Sequence, residues 1–402
     1  MKTFITGRKI LFGISGSIAV YKTAEWVHEL SKAEAEVTVV MTEAAERFVS
    51  PLTFAALSGR RVHRGMFEAD AGEKMTHISL ARDCDLVIVA PATAHTIAKL
   101  AHGFADDLLS ALVLASRARV LVFPAMNSNM YCHHATQANI KKLREYGYDV
   151  TEPETGMLAC GDEGAGRLVA WDTAREKILS VFADQDLRDR TILITAGPTW
   201  ESLDPARLIS NRSSGKMGYA LARTAKRRGA RVVLVSGPSA LAPPSGVELV
   251  NVMSAQEMCD VVMDKYSAVD IVVMAAAVSD YRPGKQVPQK VKKTGRSINL
   301  ELVPNPDILK KLGQKRKKGW RPLLIGFAAE SRDHVEEGRR KLKEKNLDLI
   351  VINDIISRDT GFGADTNQLS LIDRDYQLKK LPLLSKEECA DMIWDKVTGL
   401  LQ

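Results

Sequence analysis

The chain has 402 residues, of which 45% are hydrophobic and 26% charged, and its formal net charge is +7. This length predicts two or three domains with ordinary globular cores, and no apolar segment is long enough to predict a membrane span. The five scattered cysteines form no C-x-x-C pair, which argues against a disulfide framework or a zinc site and favours a reducing cytoplasm.

The first half of the chain alternates strand and helix patterns. Continuous apolar runs predict buried parallel strands at residues 9–14, 36–41, 85–90 and 120–123. Helical patterns lie between and after them, at residues 19–30, 94–101, 107–116, 135–146 and 174–182. This order predicts a doubly wound, flavodoxin-like α/β domain with its ligand at the carboxyl ends of the strands.

A polar connector at residues 183–190 precedes a second α/β pattern. Strands are predicted at residues 191–195, 232–235, 271–274, 323–325, 349–352 and 370–372, followed by a C-terminal helix. Residues 280–296 and 359–367 are rich in glycine, proline or aspartate and predict loops. We therefore expect two tandem doubly wound, Rossmann-like α/β domains, at residues 1–189 and 190–402.

Small and hydroxyl residues follow three predicted strands of the first domain. Ser15, Gly16 and Ser17 follow the first strand, Thr42 the second and Thr93 the third. Hydroxyls and free N–H groups at a helix start can hold a phosphate, and the G-x-G-x-x-G spacing of dinucleotide folds is absent. These loops favour a phosphorylated mononucleotide over simple helix capping.

Three further residues of the first domain are candidates for chemistry. His77 has the ordinary pKa of a general base, although a lone histidine is more often structural. Asn127 can bind a substrate carboxylate or stabilise a turn. Cys160 lies in a glycine-rich segment, residues 156–168, that can act as a flap carrying an acid or nucleophile; a buried thiol in a turn is the plainer alternative.

The segment at residues 197–218, GPTWESLDPARLISNRSSGKMG, joins a predicted strand to a helix predicted at residues 220–228. Its hydroxyl, amide and basic residues, together with free N–H groups at the helix start, suit a phosphate or a carboxylate. The P-loop spacing is absent, so a Gly/Ser helix cap with a solvated lysine fits the segment equally well.

Motifs along the whole chain resemble those of two enzyme families. The first domain resembles the flavin-containing cysteine decarboxylases, through GISGSIAVYK at 13–22, His77, APATA at 90–94, PAMNSNMY at 124–131 and ACGDEGAGRL at 159–168. The second resembles phosphopantothenoylcysteine synthetases, through DPARLISNRSSGKMG at 204–218, AAAVSDYR at 275–282, KVKK at 290–293, NPDI at 305–308 and GFAAE at 326–330. Their order in one chain resembles the bacterial bifunctional coenzyme A biosynthesis family.

For the first domain, this resemblance implies an FMN-dependent phosphopantothenoylcysteine decarboxylase. FMN would bind at Ser15, Gly16, Ser17, Thr42 and Thr93. The resemblance assigns three catalytic roles: His77 as the base, Asn127 as the ligand of the substrate carboxylate and Cys160 as the proton donor. The substrate thiol is transiently oxidised in this reaction, which has no net redox change and needs no nicotinamide.

For the second domain, the resemblance implies a CTP-dependent phosphopantothenate–cysteine ligase that acts through an acyl-cytidylate. Asn211 would stabilise that intermediate, Arg207 would support the same step, and Lys290 would neutralise charge on the nucleotide phosphate. The implied nucleotide site comprises Met274, Asp280, Pro306, Asp307, Ile308, Leu309, Phe327, Lys341 and Lys345. Mg²⁺ would be held mostly by phosphates and water, with Asp280 as its candidate protein ligand.

The implied partners are small molecules: 4′-phosphopantothenate, L-cysteine and CTP, with no nucleic acid and no membrane. The family also implies a homo-oligomer, a dodecamer built from decarboxylase trimers and ligase dimers. A flavoprotein regulatory subunit with vestigial sites is an alternative. A nucleic-acid-binding protein is another, but it rests on net charge alone, and the basic clusters at residues 310–321 and 339–345 have the pattern of solvated helix faces.

Overall fold

The structure is a computed structural model that describes residues 2–66, 76–292, 299–316, 322–330, 334–354 and 364–401. The chain divides into two compact units, Met1–Ala183 and Asp184–Gln402. Among the helices of the described residues, none combines the length and the apolar character needed to cross a bilayer.

The first unit is built on a five-stranded parallel sheet. Its strands are β1 (Lys9–Ile14), β2 (Glu36–Met41), β3 (Leu86–Ala92), β4 (Arg119–Pro124) and β5 (Asp149–Val150), followed by a hairpin of β6 (Glu154–Met157) and β7 (Glu163–Arg167). The helices are α1 (Lys2–Ile5), α2 (Val20–Lys32), α3 (Glu43–Glu46), α4 (Pro51–Ser58), α5 (Thr76–Arg82), α6 (Ala94–His102), α7 (Leu108–Ala115), α8 (Ser128–Cys132), α9 (His134–Glu145) and α10 (Trp171–Phe182). The strand order β2-β1-β3-β4-β5 is that of a flavodoxin-like fold, as predicted.

The apolar side chains of these strands are buried on both faces of the sheet. Strand β1 contributes Phe12 to one hydrophobic cluster and Leu11 to the other. On the Phe12 side, Trp26 of α2 meets Phe123 of β4 edge to face, with ring centroids 5.2 Å apart. Continuous hydrophobic strands are expected wherever helices cover both faces of a parallel sheet.

Within the described residues, the second unit contains an eight-stranded sheet and three two-stranded antiparallel sheets. Its strands are β8 (Thr191–Ala196), β9 (Trp200–Asp204), β10 (Arg207–Ser210), β11 (Arg231–Ser236), β12 (Glu248–Asn251), β13 (Ile271–Met274), β14 (Tyr281–Pro283), β15 (Leu302–Pro304), β16 (Leu323–Glu330), β17 (Leu349–Asp354), β18 (Thr366–Asn367), β19 (Leu369–Asp373), β20 (Leu378–Lys380) and β21 (Leu384–Ser385). The helices are α11 (Lys216–Arg227), α12 (Ala255–Lys265), α13 (Ile308–Lys315), α14 (His334–Glu344) and α15 (Lys386–Leu401), with a 3₁₀ turn at Tyr266–Ala268.

The large sheet has the order β12-β11-β8-β13-β16-β17-β19-β20. The first six strands in this order are mutually parallel, and β19 and β20 extend the edge as antiparallel strands. The connections reverse direction between β8 and β13, which creates a crevice at the carboxyl ends of those strands, as in Rossmann folds.

The structure corrects the expected loops. Residues 200–210, expected to be irregular, form the β9–β10 hairpin, and helix α11 begins at Lys216, before the predicted residue 220. Residues 281–283 of the expected 280–296 loop pair with β15. Residues 293–296 and 359–363 of the two expected loops lie outside the described residues. Strand β12 was not predicted.

Candidate functional sites

In the first unit, the loops after β1 and β3 are joined by Ser15. Its buried hydroxyl donates a 2.7 Å hydrogen bond to the carbonyl of Pro91 and accepts a 3.0 Å bond from the backbone N–H of Thr93. Thr93 and Thr42 are the N-caps of α6 and α3, and each side-chain oxygen accepts a backbone N–H. Of the predicted strand-end hydroxyls, those of Thr42 and Thr93 are thus helix caps, whereas that of Ser15 joins the loops after β1 and β3.

The backbone of this crevice retains donors for an anion. The N–H groups of Gly16 and Ser17 have no hydrogen-bond partner within the described residues, and α2 begins without a side-chain cap. Gly16 itself lies against α3, where an added Cβ would come within 2.4 Å of the Ala44 Cβ. Free N–H groups at a strand end suit a phosphate, so these residues fit the phosphorylated end of a flavin mononucleotide.

Asn127 and Cys160, 33 residues apart in sequence, lie in contact. The Asn127 Nδ2 donates to Cys160 Sγ at 3.3 Å and to Asp162 Oδ2 at 3.2 Å, and Cys160 Sγ donates to the same Asp162 oxygen at 3.3 Å. Asn127 also caps α8, accepting the Asn129 N–H at 2.8 Å. Cys160 is exposed, unlike the buried thiol of the plainer alternative. The cluster therefore presents an accessible thiol and an amide donor together.

The glycine-rich segment around Cys160 is a hairpin anchored to the loop that follows β4. The Met126 N–H donates a 2.9 Å hydrogen bond to the Gly166 carbonyl. A Cβ at Gly166 would lie 2.2 Å from the Met126 carbonyl oxygen, and one at Gly164 would lie 2.7 Å from the Ser128 Cβ. Glycine at both positions lets the hairpin approach closely enough to place Cys160 beside Asn127.

His77 belongs to helix α5, which precedes β3. Its side chain lies outside the described residues, so its predicted role as a base stays a prediction.

In the second unit, a cavity of about 570 Å³ opens beside the start of α11, over the carboxyl-terminal halves of β13, β16 and β17. It is lined by ten of the residues predicted from the sequence: Asn211, Met274, Asp280, Pro306, Asp307, Ile308, Leu309, Phe327, Lys341 and Lys345. Two hydrogen bonds connect the ends of β8 and β13 across the crevice. The Thr195 Oγ1 accepts the Ala276 N–H at 3.1 Å, and the Ala277 N–H donates to the Gly197 carbonyl at 2.9 Å.

Asp307 and Lys345 form an ion pair in the cavity wall. The Lys345 Nζ lies 2.9 Å from Asp307 Oδ2, while Asp307 Oδ1 caps α13 by accepting the Lys310 N–H at 3.0 Å. Burial opposes ionisation of Asp307, but the Lys310 N–H and the Lys345 ammonium together lower its pKa. Lys341 lies one turn earlier on α14 and lines the same cavity, so the two lysines share a face as predicted from their spacing.

Asn211 ties the β10–α11 loop to the loop after β13. Its Nδ2 donates to the carbonyls of Ala277 and Val278, at 3.2 and 3.1 Å. Both amide hydrogens are therefore engaged with backbone at the mouth of the cavity.

Arg207 and Lys290 are not part of the cavity lining. Arg207 donates from Nε to the buried carboxylate of Asp204 at 2.9 Å and from Nη2 to the Val291 carbonyl at 3.1 Å. Asp204 also accepts the Val291 N–H at 3.2 Å. The Arg207 guanidinium, with three backbone N–H groups, lowers the pKa of Asp204. Arg207 thus fixes the segment that carries Lys290.

Several lining residues were not singled out from the sequence: Lys216, Ser279, Asn353, Asn367 and Lys386. Lys216 and Ser279 lie within motifs already noted. Asn367 and Lys386 come from the C-terminal segment, and no local pattern there marks a site.

Comparison with known proteins accounts for both units. The family described as "Flavoprotein" matches residues 2–183, and the "DNA/pantothenate metabolism flavoprotein C-terminal domain" family matches residues 187–400. A coenzyme A biosynthesis bifunctional protein of Bacillus subtilis is 44% identical over 400 residues, covering 98% of each chain. A Vibrio vulnificus protein of the same name is 47% identical over 399 residues, covering 99% of each. The chain belongs to this bifunctional coenzyme A biosynthesis family.

A solved structure of the C-terminal domain of a member of this family is also similar to the chain. It is 43% identical, with a TM-score of 0.47, and the match covers 54% of this chain and 98% of that one.

Proposed function

We propose that this chain catalyses two consecutive steps of coenzyme A biosynthesis. The second unit ligates L-cysteine to 4′-phosphopantothenate at the expense of CTP, and the first unit decarboxylates 4′-phosphopantothenoylcysteine to 4′-phosphopantetheine. The observation that carries the proposal is the exposed Cys160 thiol against the Asn127 amide in a chain that matches the bifunctional family from end to end.

In the first unit, the cofactor we propose is FMN, bound at Ser15, Gly16, Ser17, Thr42 and Thr93. The free N–H groups of Gly16 and Ser17 support a phosphate there. FMN would take two electrons from the substrate thiol and return them later. The oxidised substrate could then accept the electron pair that remains when CO₂ departs.

Around that cofactor, three side chains of this chain act on the substrate. The Asn127 amide donates hydrogen bonds to the substrate carboxylate and orients it for loss of CO₂. His77 serves as the general base. Cys160 delivers a proton to the substrate carbon, and its present neighbour Asp162 holds the thiol proton in the absence of substrate.

In the second unit, CTP occupies the cavity beside the start of α11 and the carboxyl-terminal halves of β13, β16 and β17. The Lys341 and Lys345 ammonium groups, both lining the cavity, bind phosphate oxygens, with Mg²⁺ held by phosphates, water and Asp280. Asn211 stabilises the acyl-cytidylate at the cavity mouth. Arg207 acts through Val291 and Asp204 to place Lys290 near the nucleotide phosphate.

We also propose, from the family resemblance, that the protein is a cytoplasmic homo-oligomer, a dodecamer of decarboxylase trimers joined through ligase dimers. Sedimentation or light scattering of the purified chain tests this assembly, and a stable monomer at working concentration would rule it out.

Reconstitution tests the function directly. Purified protein with 4′-phosphopantothenate, cysteine, CTP and Mg²⁺ should release pyrophosphate and then CO₂ in equal amounts. A colourless protein that releases pyrophosphate but no CO₂ would leave only the ligase, and release of neither would support the vestigial regulatory alternative.

A further inference from the structure

The C-terminal segment places a lysine in the wall of the ligase cavity. Lys386 is the first residue of α15, and Ser385 fixes this helix start: its hydroxyl donates to Glu388 Oε2 at 2.7 Å and accepts the Glu388 N–H at 3.3 Å. One turn further, Cys389 is fully buried in the core of the unit. Lys386 therefore has little freedom to move away from the cavity.

The hydrogen-bond partners of the Lys386 ammonium are neutral. Its Nζ donates to Asn367 Oδ1 at 2.8 Å and to the Thr366 carbonyl at 3.4 Å, and in the described part of the chain it has no carboxylate within ion-pair distance. Burial lowers the pKa of Lys386 and the charge of Lys216 lowers it further, while Cys389 and the Asp365 carboxylate oppose this shift. A half-buried cation with only neutral partners is costly, and an anion in the cavity would offset that cost.

A second lysine faces the same region from another element. Lys216 begins α11, whose N-terminus has no side-chain cap, and it lines the cavity. Its Nζ lies 2.6 Å from Asp365 Oδ1, but the Asp365 side chain is 88% exposed. Such a solvated ion pair is weak, so a phosphate can displace the carboxylate.

Two buried polar atoms in the cavity lining have no hydrogen-bond partner among the described residues. Ser279 is 4% exposed, and its hydroxyl has no hydrogen-bond partner among the described residues; the same holds for the buried Oδ1 of Asn353. Buried polar atoms are nearly always paired in folded proteins, so unpaired ones in a cavity wall indicate a ligand.

We propose that Lys386, together with Lys216, binds a phosphate group of a ligase substrate in the part of the cavity that these two lysines line. The inference rests on the proposed ligase activity, whose two phosphorylated substrates, CTP and 4′-phosphopantothenate, share the required chemistry. A phosphate dianion would receive an ammonium from each of two elements, one at the start of α11 and one at the start of α15.

The test uses the full-length protein with Lys386→Gln, which keeps a donor for Asn367 but removes the charge. CTP and CMP binding are measured by calorimetry with Mg²⁺, and the KM for 4′-phosphopantothenate is measured by pyrophosphate release. We expect about a tenfold loss, equivalent to about 1.4 kcal/mol, for one phosphorylated substrate. A loss for CTP but not CMP assigns the outer nucleotide phosphates, and a raised KM for 4′-phosphopantothenate alone assigns its phosphate ester.

Lys379→Gln is the matched control, because Lys379 is an exposed lysine of β20 outside the cavity. Lys386→Met, with an unchanged thermal transition, separates charge from folding if the Gln variant is unstable. An unchanged affinity for CTP together with an unchanged KM for 4′-phosphopantothenate would overturn the phosphate role while leaving the ligase proposal intact. Equal losses for CTP and CMP would assign the α-phosphate, which the two nucleotides share. A wild-type protein that binds neither nucleotide and releases no pyrophosphate would overturn both.

Discussion

Gly166→Ala should separate decarboxylation from ligation, because Gly166 holds the Cys160 hairpin against the Asn127 loop. A Cβ at this position would lie 2.2 Å from the Met126 carbonyl oxygen, and contacts below 3.0 Å are not tolerated, so the backbones must separate by about 0.8 Å. Cys160 Sγ and Asn127 Nδ2 are 3.3 Å apart and would lose their contact. Misplacement of about 1 Å can cost roughly 10²-fold in rate.

The assay measures CO₂ release from 4′-phosphopantothenoylcysteine and, in the same preparation, pyrophosphate release by the ligase. We expect CO₂ release to fall roughly 10²-fold with the ligase unchanged. Gly147→Ala is the control: it has φ +87° and nothing within 4 Å of its added Cβ, so it strains the same unit without touching the hairpin. Normal CO₂ release by a folded Gly166→Ala protein would refute the positioning role of the hairpin.

Three further changes test single groups. Cys160→Ser should release CO₂ but form roughly 10²-fold less 4′-phosphopantetheine, because a hydroxyl is a weaker acid than a thiol; equal yields of both would contradict this. Asn211→Asp should reduce pyrophosphate release roughly 10²-fold without affecting decarboxylation, since a carboxylate repels the Ala277 and Val278 carbonyls that the amide now donates to. Burial raises the pKa of Asp391 to about 6, so the native chain keeps a proton that the unfolded chain loses near its ordinary value of 3.8. Rising pH between those values therefore destabilises the second unit, and Asp391→Asn should reduce this loss in denaturant unfolding, whereas parallel pH profiles would contradict it.

The sheets could be predicted from the sequence because their signal is local. The strands at residues 9–14, 36–41 and 271–274 have the predicted bounds, because each is a short, mainly apolar run of the kind that a doubly covered parallel sheet buries. Strand β12 has no such run and is half-exposed at the sheet edge. The β9–β10 hairpin depends on the buried Asp204 carboxylate, and a lone aspartate among loop residues gives no sign of burial.

The candidate sites could likewise be predicted where their signal is local, and not where they depend on distant segments. Ser15, Thr93 and the 211–218 loop could be expected near a ligand, because the carboxyl ends of parallel strands meet at one edge. The Asn127–Cys160 contact and the roles of Asn367 and Lys386 depend on pairing between distant segments. Lys386 lies 170 residues from Lys216 along the chain, and nothing in its own neighbourhood in sequence indicates that both line one cavity.

The two units share one arrangement of loops at the carboxyl ends of their strands and differ in the segments added to it. In each, the loop after the first strand is bonded to the loop across the reversal of strand order: Ser15 to Pro91 and Gly197 to Ala277. This linkage builds a crevice between loops without specifying a reaction. In the proposed function, the hairpin that carries Cys160 adds the acid in the first unit, and the C-terminal segment adds cations to the cavity of the second. Displacing the hairpin by Gly166→Ala should therefore abolish most decarboxylation, while the flavin, held by the loops after β1 and β3, stays bound and the protein stays yellow.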